Sequence, residues 1–186
     1  MATLHDDDFG ISLQYPWQYG FKSGHKLRSS GEPVETGFVA PGGVNLGTIE
    51  VPAGYYTGTD FKRAFLSANV NGKLASDQCS QFSAGQNNES PVPAKMQIGN
   101  REFLMQETKA DDSIRRTYHT YQSGVCYEFV LGLDTADSNS DQRIKPAPVK
   151  RVFARLENIL ATVDIADQDG TAEASAATGN PVPQKP

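Results

Sequence analysis

Val125-Cys126-Tyr127-Glu128-Phe129-Val130-Leu131-Gly132-Leu133 is the stretch whose reading decides the fold class. Val125, Tyr127, Phe129, Leu131 and Leu133 recur at every second position, so they share one face of an extended strand, and Cys126 falls on the other. Upstream, residues 115–121 alternate as well, and Gln122-Ser123-Gly124 joins the two runs into a hairpin. In that partner strand Thr117, His119 and Tyr121 lie on one side, with Arg116, Tyr118 and Thr120 on the other. A second hairpin precedes it, residues 95–98 and 102–108 flanking the two-residue turn Gly99-Asn100.

Working outward, Phe9, Ile11, Leu13 and Tyr15 alternate with small or polar residues and predict a strand that Pro16 ends, because proline cannot donate to a ladder. Residues 44–51 and 65–70 predict two more strands, with Asn71-Gly72 as a turn. A short helix is expected over residues 75–82, followed by a polar insertion at 83–93, and residues 134–145 form a polar loop. Pro148 then opens a helix at a position where its missing donor costs nothing. Val152, Phe153, Leu156, Ile159, Leu160 and Val163 recur at three- and four-residue spacing, a stripe suited to a sheet face, here the face carrying Val125, Tyr127, Phe129 and Leu131. The expected architecture is α+β: a central, mainly antiparallel sheet with a long C-terminal helix and a short helix packed on it. Residues 1–8 read as a lead, 9–166 as one domain, and 167–186 as a polar tail too poor in apolar side chains to offset its ordering entropy.

The opening Phe9-Gly10-Ile11-Ser12-Leu13-Gln14-Tyr15-Pro16-Trp17 resembles the start of a PsbP-like domain, and residues 153–163 are similar to that fold's closing helix. Between them, Cys79-x-Gln81-Phe82 and Tyr118-His119-x-Tyr121-x-x-Gly124-x-Cys126-Tyr127-Glu128 resemble uncharacterised secreted proteins of environmental bacteria. The resemblance implies an antiparallel sheet with packed helices and an accessory or binding role, and it brings no shared catalytic residues.

The 186 residues carry 17 basic and 22 acidic side chains, a formal charge of −5. Nucleic acid and anionic membrane partners, which need clustered positive charge, are therefore not expected. No apolar run is long enough to span a bilayer. The start, Met1-Ala2-Thr3-Leu4-His5-Asp6-Asp7-Asp8, shows no basic segment followed by an apolar one, so the chain reads either as cytoplasmic or as a mature protein whose signal peptide was removed.

Cys79 and Cys126, the only two cysteines, bear on that choice. Neither has the close second cysteine common in zinc sites, and a pair in a chain of secreted character fits a disulfide, which favours an extracytoplasmic (periplasmic or secreted) location. Closing a loop of 47 positions stabilises a fold by about 4 kcal/mol in the chain-entropy account. The bond would tie the short helix to the strand's second face, and it would remove the thiol from a Cys–His nucleophile reading with His119.

His5, His25 and His119 are too dispersed for a metal set, and no cofactor motif is present: Gly42-Gly43 and the loop Gly54–Gly58 match neither a P-loop nor a dinucleotide fingerprint. Asp6-Asp7-Asp8, Asp111-Asp112 and the group Asp134, Asp137, Asn139, Asp141 lack the glycine and closing glutamate of a calcium loop. Loop aromatics remain. Trp17, Tyr19, Phe21, Tyr55 and Tyr56 form the candidate binding surface, for a protein partner, a second copy or a carbohydrate, against the reading that they cap the end of the core. The expected function is a non-catalytic extracytoplasmic binding or assembly module. The alternatives are a small hydrolase-type enzyme using His119 with nearby carboxylates, or a ligand carrier in a sheet–helix cleft.

Overall fold

The computed structural model describes residues 1–24, 36–83, 92–136 and 144–167. The part of the tail beyond Asp167, His25, and the members Asp137, Asn139 and Asp141 of the acidic group lie outside the described residues.

The alternating run that begins at Val125 is β9 (Val125–Thr135), and it lies at the centre of a seven-stranded antiparallel sheet. The sheet order is β3 (Gly20–Ser23), β4 (Val44–Glu50), β5 (Phe61–Asn71), β9, β8 (Ser113–Gln122), β7 (Arg101–Ala110) and β6 (Ala94–Ile98). Three hairpins close with two-residue turns, Ile98 pairing Arg101, Ala110 pairing Ser113 and Gln122 pairing Val125. The last turn needs left-handed backbone at both positions, which Ser123 (φ 52°) and Gly124 (φ 82°) supply.

The α+β expectation is corrected here. The described residues are mostly β, with ten strands in two sheets, and among them only α2 (Val149–Leu160) exceeds a single helical turn. Among the described residues there is no long C-terminal helix. The apolar stripe runs on to Val163, but the helix stops at Leu160; after a turn at Ala161-Thr162 the chain straightens, and Ile165 enters β10 (Asp164–Ile165). The short helix expected over 75–82 shrinks to one turn, α1 (Ser76–Cys79).

The second sheet, β1-β2-β10, was not expected. β1 (Ala2–Asp6) pairs antiparallel with β2 (Ile11–Tyr15), which also carries β10. Only Leu4 of β1 is buried, so an acidic, exposed edge strand left no alternating apolar signal.

The small sheet and α2 cover one face of the large sheet. On that face Ile49, Leu66, Val70, Tyr127, Phe129, Leu131, Tyr118 and Phe103 join Ile11, Leu13 and Ile165 from the small sheet, and Phe153, Leu156 and Leu160 from α2, in one core. The expected docking of Phe153, Leu156, Leu160 and Val163 over β9 is therefore present. Arg116 secures the helix, its guanidinium 4.3 Å over the Phe153 ring and hydrogen-bonded to Glu157 and Glu107. Tyr118 donates its hydroxyl to the same Glu157 carboxylate at 2.9 Å. Among the described residues no helix is long and apolar enough to cross a membrane.

Candidate functional site

The other face of the large sheet is polar where it is buried. Strand register aligns one residue from each of four adjacent strands: Asn45 opposite Asn69, Asn69 opposite Glu128, Glu128 opposite His119. The alternation that sends Tyr127 and Phe129 into the apolar core sends Glu128 the opposite way. Asn69, Glu128 and His119 are all at most 2 % exposed. A carboxylate at such depth is stable only if its oxygens are satisfied.

They are. Glu128 Oε2 accepts from the Gly37 amide at 2.5 Å and lies 2.8 Å from His119 Nε2, while Oε1 accepts from Asn69 Nδ2 at 2.9 Å. Asn45 Nδ2 donates in turn to Asn69 Oδ1 and to Ser67 Oγ, both at 2.8 Å. A Cβ on Gly37 would stand 2.8 Å from Glu128 Oε2, so a larger residue there would have to shift a carboxylate held by three hydrogen bonds.

The other ring nitrogen of His119, Nδ1, lies 2.9 Å from the Cys79 carbonyl oxygen. A carbonyl only accepts, so Nδ1 carries a proton, and a second proton sits between Nε2 and the Glu128 carboxylate. Phe82 stacks on the imidazole at 4.1 Å between centroids, and Phe38 at 5.7 Å.

Cys79 and Cys126 are disulfide-bonded, with Cα atoms 5.6 Å apart. As expected from the register, the bond ties α1 to the face of β9 opposite Tyr127, and Cys79, Cys126, Phe38 and Leu74 form a small second core there. Next to it is a cavity of about 290 Å³ lined by Cys79, Ser80, Leu104, His119 and Tyr121 among others. A carboxylate is within reach of His119, but both ring nitrogens are engaged and the thiols are bonded to each other.

The five aromatic candidates divide. Tyr19 and Tyr56 are buried in the core, whereas Trp17 is 72 % exposed and Phe21 and Tyr55 are each 43 % exposed. The Trp17 turn is closed by the Tyr19 amide donating to the Pro16 carbonyl. Tyr19 meets the Tyr55 ring edge-on at 5.8 Å, and the Arg155 guanidinium lies 4.9 Å over Tyr55. Phe21 stacks on Tyr15. Burial pushes the Tyr56 phenol above its usual pKa against the opposing charge of Arg155.

Three of the acidic side chains have partners within the chain. Asp6 accepts from the Phe9 amide, Asp7 pairs with His5, and Asp134 pairs with Arg115. What sequence reasoning missed is the row from Asn45 to Glu128. Its signal was an Asn or Glu at the alternate positions of strands that are apolar on their other face.

No family model matches the chain, and no curated protein matches it. Among solved structures it is similar to a protein from Bacteroides thetaiotaomicron VPI-5482, at 12 % identity and a TM-score of 0.47. That match covers 86 % of this chain and 46 % of the other, so the chain spans less than half the length of that protein.

Proposed function

We propose that this chain is a non-catalytic extracytoplasmic binding module that engages a protein surface through Trp17, Tyr55 and Arg155. The carrying observation is Trp17, the one tryptophan of the chain, held mostly in solvent by a closed turn. Leaving that much aromatic area in water forgoes about 25 cal/mol per Å² of burial, which a partner would recover. Tryptophan, tyrosine and arginine are also the side chains that dominate binding energy at protein interfaces. The engaged nitrogens of His119 support the non-catalytic part, and the formed disulfide supports an oxidising compartment.

The test uses Trp17 as its own reporter, since no other indole contributes to the emission. Sedimentation equilibrium and tryptophan emission of the full chain are followed over a concentration series. Self-association with a blue shift, abolished by Trp17→Ala at unchanged melting temperature, supports assembly through this surface. A monomer that instead binds a glycan array in a Trp17-dependent way moves the reading to carbohydrate. Turnover of ester, amide or glycoside substrates that is lost in His119→Gln refutes the non-catalytic reading.

A further inference from the structure

We infer that reduction of the Cys79–Cys126 disulfide opens a buried zinc site made of the two cysteine sulfurs and His119. Both sulfurs and a ring nitrogen of His119 already lie within 4.8 Å of one another, and all three residues are buried. Two thiolates and an imidazole form a soft donor set that suits zinc, and two thiolate charges neutralise the dication in a site water cannot solvate.

The surroundings are those a metal-binding histidine needs. Glu128 holds Nε2 at 2.8 Å, the carboxylate–imidazole contact that fixes a ligating ring and raises its basicity. Glu128 is itself fixed by the Gly37 amide and Asn69. Phe82 and Phe38 stack on the ring. With Nε2 so committed, Nδ1 is the nitrogen left to bind, and its present partner is a carbonyl of Cys79 itself. The cavity against Cys79 and His119 provides a path of entry and room for a water as fourth ligand. This inference does not rest on the proposed binding surface, which is built from other residues.

The chemistry balances with a phosphine as reductant. The S–S bond breaks, the phosphine is oxidised to its oxide with the oxygen of one water, and that water's two protons go to the sulfurs. Zinc then displaces both thiol protons and the Nδ1 proton, three in all, while the proton between Nε2 and Glu128 stays in place.

The full chain is reduced with tris(carboxyethyl)phosphine, freed of it without air, and titrated with zinc chloride; bound metal is counted after gel filtration. One zinc per reduced chain and none per oxidised chain is expected. Cobalt(II) in place of zinc should give the near-ultraviolet thiolate charge-transfer band. Glu128→Gln should weaken zinc binding about 10–100-fold, and His119→Ala more. Should His119→Ala not fold, 15N-histidine labelling of the wild type decides instead: the Nδ1 resonance of His119 moves on adding zinc. A reduced chain that binds no zinc, binds it without moving that resonance, or unfolds and is not refolded by zinc overturns the inference.

Discussion

Replacing Glu128 by alanine removes one residue that satisfies three donors at once, the Gly37 amide, Asn69 Nδ2 and His119 Nε2. All lie where water does not reach, since Glu128 is 0 % and His119 2 % exposed. Breaking one side of a buried ion pair costs about 3–5 kcal/mol, because the remaining partner keeps its desolvation penalty without its compensation. At about 2–4 °C per kcal/mol for a chain of this size, the melting temperature should fall by roughly 6–20 °C. The assay is thermal and urea unfolding with the disulfide intact. It is run on Glu128→Ala, His119→Phe and the double variant. The phenylalanine keeps the stack between Phe38 and Phe82, so the cycle isolates the polar contact. The double variant should cost less than the sum of the singles by about 0.5–3 kcal/mol. A Glu128→Ala protein melting within about 2 °C of wild type, or strict additivity in the cycle, refutes the account of the row as one coupled network.

Leu156 is fully buried between α2 and the sheet, and Leu156→Ala should cost about 2–5 kcal/mol by urea unfolding; a wild-type midpoint would mean that the helix is not docked. Burial, then the charge and hydrogen bond of Glu157, hold the Tyr118 phenol well above the usual value of 10.0. Its contribution to stability is whole below pH 10 and is lost as the pH rises beyond it, where the unfolded chain ionises first. In an ultraviolet titration the folded protein should therefore lack the step assigned to Tyr118 by comparison with Tyr118→Phe. Burial opposes ionisation of Glu107, yet Lys109 and Arg116 outweigh it and set its pKa below 4.5, so its support for the fold persists at neutral pH and fades as the pH drops through the acidic range. Glu107→Gln should flatten that acid limb of the stability curve. Trp17→Ala should leave unfolding within about 0.5 kcal/mol of wild type, and acrylamide should quench the native indole nearly as well as the unfolded one.

The strands at the centre of the sheet were legible because a strand that buries one face writes its phase in period two; β9 and β8 were readable to the side on which each residue stands. The disulfide was legible from the number and setting of the cysteines. The second sheet was not, because β1 buries only Leu4 and β10 is two residues long, and both are held by pairing to β2 rather than by a pattern of their own. The helix is shorter than its apolar stripe because Val163 keeps the helical phase while standing past the turn, just before β10. The clearest divide is at the buried polar row. Spacing along the chain argues against a metal set, since neither Cys79 nor Cys126 has a close second cysteine and the three histidines are dispersed. Register across the sheet, which no local pattern encodes, set His119 against Glu128 and brought both sulfurs within 4.8 Å of its ring. Side-chain phase is a local property of the backbone and can be read from a sequence; which strands lie side by side is settled by the pairing energy of the whole sheet, and that pairing assembled this site.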